Sequence, residues 1–223
     1  MTTRTKKPVD ALPADIAGIR LEFGFRIGWD ETPSDGPAFW HVSADVHDFE
    51  MDEVTHHVGS FSFYRIEPTE TRNLFGVMDG YDSDLGHIAE MVLDLEMGDI
   101  RDDLRDRMAG FEPDLLVLCR AQLEDGWRGF GLGAVLAGRA IKQLGHGCLS
   151  VALQPASILP ETRGDDATRN RAAKKIAKAW KKIGFTQVDD ELMMLDLATT
   201  ALDKSLARQT ALVRQFPVIM ESN

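Results

Sequence analysis

Apolar side chains occupy alternate positions along the first part of the chain, with polar residues between them. The first such run holds Ile19, Leu21, Phe23, Phe25, Ile27 and Trp29. A period of two is typical of a strand that buries one face. A loop rich in proline and glycine follows at 31–37, and two more alternating runs, 40–49 and 58–66, predict neighbouring antiparallel strands.

The spacing of the apolar positions becomes helical after residue 68. The positions that recur every three or four residues are Leu85, Ile88, Ala89, Val92 and Leu93. This spacing predicts a helix with one buried face, and Asp82 or Ser83 is placed to cap its start. A second, polar helix is predicted over 99–108.

Strands and helices alternate in the rest of the chain. The predicted elements are a buried strand at 114–123, a helix at 131–144, a strand at 149–153, a helix at 168–183, strands near 185–188 and 192–197, and a helix at 199–216. Interleaved elements of this kind favour one mixed α/β domain. We therefore expect a flexible tail at 1–17 and a single domain at 18–223, with a mixed, mostly antiparallel sheet flanked by helices. The helix at 199–216 either packs on this domain or forms a homodimer interface.

The balance of charge narrows the class of partner. A formal net charge of −11 disfavours a nucleic-acid partner, because affinity for phosphate backbones depends on clustered Lys and Arg. Acidic residues dominate 44–106, whereas basic residues dominate 163–182. No apolar run approaches the roughly 20 residues of a membrane span, and no secretory signal is visible, so we expect a cytoplasmic protein without a membrane partner. Cys119 and Cys148 lie in apolar runs and are interpreted as buried thiols.

Three alternating glycines stand where the strand at 114–123 gives way to the helix at 131–144. They are Gly129, Gly131 and Gly133. Glycine lets the main chain approach a ligand closely, and the first N–H groups of a helix favour an anion. The turn therefore suits a pyrophosphate or, without a ligand, a tight strand-to-helix connection. A Walker loop is excluded because no Gly-Lys-Ser/Thr follows, and the glycines are one residue short of the dinucleotide-binding spacing.

The glycine turn also resembles a known family signature. Arg128-x-x-Gly131-x-Gly133 fits the R/Q-x-x-G-x-G/A pattern of the GNAT superfamily of N-acetyltransferases, and it follows an apolar strand as in that family. Downstream, 179–185 is similar to the family's second signature, a helix that ends in Tyr-x-x-x-Gly-Phe, and 192–197 looks like its last strand. The resemblance covers 114–197.

The resemblance implies an acyl-CoA N-acyltransferase-like fold and transfer of an acetyl group from acetyl-CoA to a primary amine. Leu123 would hydrogen-bond the pantetheine and help to polarise the thioester through its main chain. The main-chain N–H groups that would hold the CoA pyrophosphate belong to Arg128, Gly129, Phe130, Gly131, Leu132, Gly133 and Ala134.

The same resemblance implies where the acceptor binds. The amine would enter from the opposite side of a V-shaped gap between the strands at 114–123 and 149–153. The segment 18–113 would then be the acceptor-side half, 114–197 the acetyl-CoA-binding half, and 198–223 a C-terminal helix. The acceptor would be a small-molecule or peptide amine. The upstream acidic residues favour a cationic one, such as a polyamine, an aminoglycoside or a lysine side chain.

Several positions depart from the family pattern. Trp180 stands where the family has the Tyr that protonates the leaving thiolate, and an indole N–H is a poor acid. Ala173 stands where an Asn often contacts CoA, with Asn170 one turn earlier, and Leu115 stands where some members carry a catalytic Glu.

No general base or acid is therefore assigned from the sequence; Asp114 and Glu124 are near the required position without being aligned, and Tyr81 is a candidate acid. Two alternatives stay open. One is a non-catalytic acyl-CoA-binding or scaffold module on the same fold. The other is an acetyltransferase toxin that acts on aminoacyl-tRNA, with the basic segment 163–182 as its landing site.

Two further patterns could hold a metal. His41, Ser43, Asp45 and His47 share one face of the strand at 40–49, and His56 and His57 follow, but without a metal-ligand spacing a polar or cleft-lining face is favoured. The run 79–84 lacks the ligand order and the terminal Glu of a calcium loop, so it is interpreted as a helix cap. No metal is expected.

Overall fold

The computed structural model describes residues 11–26, 36–48, 50–67, 73–110, 114–155 and 166–218, with side chains from Arg171 onward in the last range. Its elements in chain order are β1 (Ile19–Arg26), β2 (Ala38–His47), β3 (Val54–Ile66), α1 (Leu74–Tyr81), α2 (Ser83–Val92), β4 (Leu93–Asp94), β5 (Asp99–Ile100), α3 (Asp102–Arg105), β6 (Asp114–Leu123), α4 (Leu132–Leu144), β7 (Cys148–Leu153), α5 (Asp166–Lys181), β8 (Thr186–Gln187), β9 (Met193–Asp196) and α6 (Ala201–Val213).

Seven strands form one sheet in the order β1-β2-β3-β6-β7-β9-β8, and β4 and β5 form a separate pair. Every neighbouring pair in the large sheet is antiparallel except β6 and β7, which are parallel and are joined by α4. The prediction of an α/β chain with a mixed, mostly antiparallel sheet flanked by helices is confirmed.

The alternation of side chains along each strand divides the core between the two sheet faces. Phe61, Phe63 and Leu118 belong to one buried cluster, to which α4, α5 and α6 contribute. Tyr64 and Val117 belong to a second cluster with residues of α1, α2 and α3. Because successive strand residues point to opposite faces, the strict apolar run of β6 supplies both clusters at once.

The segment between β3 and β6 holds more structure than the spacing predicts. Residues 74–81 form α1, whose start is capped by the side chain of Asn73, which accepts a hydrogen bond from Gly76 N. Two glycines within this short helix weaken its pattern in the sequence. Asp82 does cap α2 as predicted, by accepting from Asp84 N at 2.8 Å.

The prediction of a polar helix over 99–108 is wrong in its bounds. Asp99–Ile100 pairs with Leu93–Asp94 as a small hairpin, and only Asp102–Arg105 is helical. Gly98, with φ of +72°, makes the turn that allows this pairing, and this glycine was not used in the prediction.

Both ends of the described chain pack on the domain. Part of the predicted tail is ordered: Leu12 is buried and its N–H donates to Pro217 O at 2.7 Å. Residues 1–10 of that tail lie outside the described residues. Helix α6 packs on α4 so closely that a β-carbon on Gly138 would lie 2.6 Å from Leu206 Cδ2. Among the helices of the described ranges, none has the length and apolarity that crossing a membrane requires.

Candidate functional site

The parallel strands β6 and β7 stay together for only part of their length. The described pairs run from Asp114, opposite Cys148, to Val117, opposite Ala152. Beyond Val117, β6 continues to Leu123 paired only with β3 on its other side. The edge of β6 from Leu118 to Leu123 therefore has no described strand partner on the β7 side, and we call the space beside this edge the cleft.

Leu123 turns its main chain towards the cleft. Glu124 N donates to Val58 O at 3.0 Å, and Gly59 is the register partner of Leu123. In an antiparallel ladder, hydrogen-bonded and non-bonded pairs alternate, so the N–H and C=O of Leu123 point away from β3. A peptide-like chain in the cleft would meet the N–H of Leu123 as a neighbouring strand does, because the carbonyl oxygen accepts a hydrogen bond from Arg128.

The predicted glycine turn follows this edge after one turn of 3-10 helix at Asp125–Trp127. Gly129 has φ of +98° and Gly131 has φ of +79°, and Gly131 is the N-cap of α4 without a side-chain cap hydrogen bond. Apart from Gly131 itself and its two neighbours in the chain, no atom of the described residues lies within 4 Å of a β-carbon built on Gly131. The N-cap of α4 is therefore open on the side that a side chain of residue 131 would take, and the first N–H groups of a helix, which lack partners within it, favour an anion.

The residues between these glycines anchor the turn in the core. Phe130 is buried and packs edge-to-face on Phe216, with ring centroids 4.9 Å apart, and Leu132 is buried beside it. Gly133 and Ala134 are half-buried in the first turn of α4, where a β-carbon on Gly133 would lie 3.3 Å from Leu123 Cδ1. Apolar anchors thus hold a turn whose exposed positions are glycines.

The side chain of Arg128 binds groups of the chain that precede the glycine turn rather than facing solvent alone. Its Nε donates to Leu123 O at 2.6 Å, and its Nη1 lies 2.6 Å from Asp125 Oδ1. The guanidinium therefore ties the end of β6 to the turn, and it occupies the carbonyl of Leu123. Of the main-chain groups predicted at Leu123, the N–H is the one left to face a ligand.

Residues 179–185, which resemble the second signature of the family, lie on the same sheet face as α4. Trp180 is buried, its ring packs edge-to-face on Phe185, and its Nε1 has no hydrogen-bond partner among the described groups. Gly184 ends this segment with φ of +106°. Ala173 is half-buried in α5, and the side chain of Asn170 lies outside the described residues. The unpartnered indole N–H can donate a hydrogen bond but is no acid.

The other face of the sheet carries a row of polar side chains on β2, β3 and β6. We call these residues the polar face: His41, Ser43, Asp45, His57, Ser60, Ser62, Arg120 and Gln122. They alternate with the apolar residues that pack under α4, and registers such as Ser60–Gln122 and Ser62–Arg120 bring them side by side. The sequence signal for this face was the appearance of Arg120 and Gln122 at the end of an otherwise apolar strand, and it was not used.

Two buried titratable groups lie where the cleft opens. Burial raises the pKa of Tyr64 to about 12, and the negative charge of Asp82 adds to the shift. Burial also raises the pKa of the Cys119 thiol, and Asp82 and Asp84 act in the same direction. Both side chains therefore stay protonated at neutral pH, which makes Tyr64 a neutral donor and Cys119 a poor nucleophile. Tyr81 is exposed and lies against Gly36.

A catalytic carboxylate is not found on β6. Leu115, at the position where the resemblance would place a Glu, is fully buried against α1 and α2. Asp114 is at the far end of the strand and is held by Arg65, whose Nε donates to Asp114 Oδ2 at 2.9 Å. Glu124 is exposed past the other end. Neither of the two nearby acids is thus aimed at the cleft from β6.

Cavities are found on a different part of the domain. Two of them, of about 300 and 610 Å³, lie between α4 and the strands β1 and β2 and share Phe23 and Gln143 as lining residues. Leu132 lines the smaller one. Three strands separate β1 from the cleft, so neither cavity is the predicted site. No group of three or more metal-ligating side chains is found in the described ranges.

Comparison with known proteins gives no family. No protein-family model matches the chain, and no curated protein matches it.

Proposed function

We propose that this chain is an N-acetyltransferase that moves an acetyl group from acetyl-CoA to a primary amine, on an acyl-CoA N-acyltransferase-like fold. The observation that carries the proposal is the succession of two features: the edge of β6 without a described partner, which ends at Leu123, and, after one 3-10 turn, the glycine turn at the start of α4. A hydrogen-bonding edge followed by bare N–H groups matches a ligand whose amide chain ends in a pyrophosphate.

The turn would bind the pyrophosphate through main-chain N–H groups from Arg128 to Ala134. The absence of a β-carbon at Gly131 leaves room for phosphate oxygens, and the partial positive charge of the α4 N-terminus favours them. Leu123 N–H would meet the pantetheine or the thioester carbonyl, where a preorganised donor stabilises the oxyanion of the tetrahedral intermediate. The acetyl group would then lie in the cleft, with the polar face across from α4.

The acceptor is proposed to be a cationic amine. Asp82 and Asp84 lie close enough to Cys119, on the edge of β6 that borders the cleft, to raise the pKa of its thiol. Carboxylates beside the cleft attract an ammonium group and repel the phosphates of a nucleic acid. A polyamine, an aminoglycoside and a lysine side chain share this chemistry.

Binding of acetyl-CoA is the first test. A ligand at 100 times its Kd stabilises a protein by about 2.7 kcal/mol, which raises the Tm of a chain of this size by roughly 5–10 °C. We expect such a shift with acetyl-CoA, together with CoA release in the presence of spermidine, kanamycin or Nα-acetyl-lysine amide. No shift at millimolar acetyl-CoA would remove the proposal.

A second candidate is a non-catalytic acyl-CoA-binding module on the same fold. Trp180 favours it, because a buried indole in place of an acidic hydroxyl removes one route for protonating the thiolate. Thermal stabilisation by acetyl-CoA without CoA release for any of the three amines would select this candidate over the enzyme.

A further inference from the structure

The two edges of the seven-stranded sheet differ in length. β8 forms one edge with two residues, whereas β1 forms the other with eight, Ile19–Arg26. A long edge strand offers main-chain groups to another chain, and proteins usually protect such an edge with proline, lysine or a bulge. β1 contains neither proline nor lysine, and its register with β2 has no bulge. Among the described strands, only β2 pairs with β1, so its outer edge is available for pairing.

The main-chain groups on this outer edge belong to the apolar residues of β1. Thr55 Oγ1 donates to Val46 O at 3.1 Å, so the main chain of Val46 points to β3, and residues at odd positions of β2, such as His41, point to β1. His41 O lies 3.6 Å from a β-carbon built on its register partner Gly24, as expected for such a pair. The residues of β1 at even positions therefore bond to β2. Those whose N–H and C=O point outward are Leu21, Phe23 and Phe25.

Apolar side chains and cavities accompany this edge on the α4 side of the sheet. Phe25 is 43% exposed, and its ring packs against Trp40 with centroids 4.9 Å apart. Phe23 is half-buried and lines both of the cavities between β1 and α4. The larger cavity, of about 610 Å³, is also lined by Phe25, Trp40 and Leu144. A strand added to β1 with apolar side chains at alternate positions would cover this space.

A second copy of β1 meets this requirement. When Gly24 lies opposite the partner's Gly24 in an antiparallel pair, Phe23 lies opposite the partner's Phe25, and Glu22 lies opposite the partner's Arg26. The phenyl rings then meet on the α4 side, and opposite charges meet on the other face. Because Glu22 and Arg26 occupy a non-hydrogen-bonded pair, their side chains are as close as cross-strand neighbours can be. Two-fold symmetry repeats each of these contacts.

Other symmetric registers bring like charges together or use a different arginine. With the axis at Phe23, Arg20 lies opposite the partner's Arg26, and with the axis at Glu22, two Glu22 side chains lie opposite each other. Like charges directly opposite are destabilising. An axis at Leu21 pairs Arg20 with the partner's Glu22, so that register is the main rival.

The ion pairs within the chain decide between these registers. Arg20 is already ion-paired to Asp52, and in the rival register the partner's β1 would meet the turn of 3-10 helix that precedes β1. Arg26 has no carboxylate within ion-pair distance among the described residues. An axis at Phe25 would put Arg26 opposite Gly24, which offers no charge. The register centred on Gly24 therefore gives the unpaired arginine a carboxylate.

We propose that this chain forms a symmetric homodimer, in which β1 pairs with β1 of a second copy about an axis at Gly24. The two sheets become one continuous sheet, and the apolar side chains of each β1 cover the cavity beside the other. This inference does not depend on the proposed acetyl transfer. Because β2 and β3 lie between β1 and β6, the cleft stays open in the dimer.

A cysteine at the axis tests the register directly. Opposite residues of a non-hydrogen-bonded pair have Cα atoms about 4.5 Å apart, a separation that a disulfide spans. A β-carbon fits at Gly24, since the nearest atom is His41 O at 3.6 Å, and the native thiols of Cys119 and Cys148 are buried. We expect Gly24→Cys to form a covalent dimer on mild oxidation, seen by non-reducing gel electrophoresis. Arg20→Cys, on the same face of the same strand, should run as a monomer.

Exchange of charges tests the ion pairs. In sedimentation velocity from about 1 to 100 µM, the wild type should form a species of twice the 24.8 kDa chain mass. Glu22→Arg and Arg26→Glu each bring like charges together at two symmetric sites, so each should raise the dimer Kd by about tenfold or more. The double variant Glu22→Arg/Arg26→Glu should return the Kd to within about threefold of the wild type. Arg20→Gln is the control and should leave the Kd unchanged.

The contrary outcomes are distinct. A wild-type chain that stays monomeric at about 100 µM overturns the homodimer. A dimer that neither charge reversal weakens is formed through another surface, which also overturns the proposal. Equal cross-linking of the two cysteine variants, no recovery in the double variant, or a loss of affinity in Arg20→Gln overturns the register centred on Gly24. Thermal melting of each variant checks that the fold is retained.

Discussion

Arg128 Nε donates a 2.6 Å hydrogen bond to the carbonyl oxygen of Leu123, so the last residue of β6 is fastened to the turn that starts α4. The first half of the proposed ligand would lie against Leu123 and the second half against the turn. The relative position of these two parts therefore depends on one guanidinium group.

Replacing Arg128 by Gln should loosen that fastening. We expect the free energy of unfolding to fall by about 1 kcal/mol, because the bond is charge-assisted but the side chain is half exposed. Affinity for acetyl-CoA should fall by about tenfold, as measured by calorimetry. Arg105→Gln, which removes a comparable ion pair with Asp99 on α3, should leave the affinity unchanged. Equal affinity losses in the two variants would contradict this role of Arg128.

Gly131→Glu should abolish acetyl-CoA binding. The substitution forces a side chain into a left-handed conformation, at a cost of about 1–2 kcal/mol, and it puts a carboxylate where the pyrophosphate would be held. Gly98→Glu is a matched control, since Gly98 also has a positive φ with no atom within 4 Å of a β-carbon, but it lies in the β4–β5 hairpin. Thermal shift should show similar destabilisation of both variants and stabilisation by acetyl-CoA in Gly98→Glu alone.

Asp114→Asn should destabilise the fold more than Asp103→Asn. Each aspartate accepts two hydrogen bonds from one arginine, Arg65 for Asp114 and Arg101 for Asp103. The Asp114 side chain is only 11% exposed, whereas that of Asp103 is 51% exposed. Urea unfolding should give a loss of about 2 kcal/mol for Asp114→Asn and a much smaller loss for Asp103→Asn. The reverse order would mean that the enclosed pair does not join β3 to β6.

Tyr64 should make the protein less stable at alkaline pH. Its pKa is raised from 10.0 to about 12 in the folded chain. Between these values the unfolded chain binds fewer protons at this group than the folded chain, so the free energy of unfolding decreases as the pH rises. Tyr64→Phe should flatten that decrease in urea unfolding between pH 10 and 12. The absorbance of the phenolate in a Tyr81→Phe background measures the pKa directly, and a midpoint near 10 would contradict the burial of Tyr64.

The strands and the long helices were predictable because each carries a complete pattern. β1 alternates strictly between apolar and polar residues, β6 is a continuous apolar run, and α4 has helical spacing, so the sequence defines all three. Helix α1 was missed because two of its eight residues, Gly76 and Gly80, have a low helix propensity. Its cap, Asn73, adopts a left-handed conformation that the local sequence does not predict. The β4–β5 pair has two residues per strand, which is too short for any period.

The candidate site was predictable on one side of the sheet only. The glycine turn is contiguous in sequence, so Gly129 and Gly131 could be identified from their spacing and their conformational freedom. The polar face, with its pair Asp45–His57, depends on the register of β2 with β3 and on a bulge at Val58, neither of which is encoded in a local pattern. His41, Ser43 and Asp45 were recognised as sharing a face, but their partners on β3 and β6 follow only from tertiary pairing.

The short parallel ladder between β6 and β7 also has a mechanical meaning. In the described residues, four pairs from Asp114 to Val117 form the whole hydrogen-bonded seam between the half-sheet β1-β2-β3-β6 and the half-sheet β7-β9-β8. A force that separates the two half-sheets therefore acts mainly on these four pairs. A molecule bound in the cleft beyond Val117 and in contact with both strands would bear part of this force. Binding in the cleft and the stability of the sheet are therefore coupled.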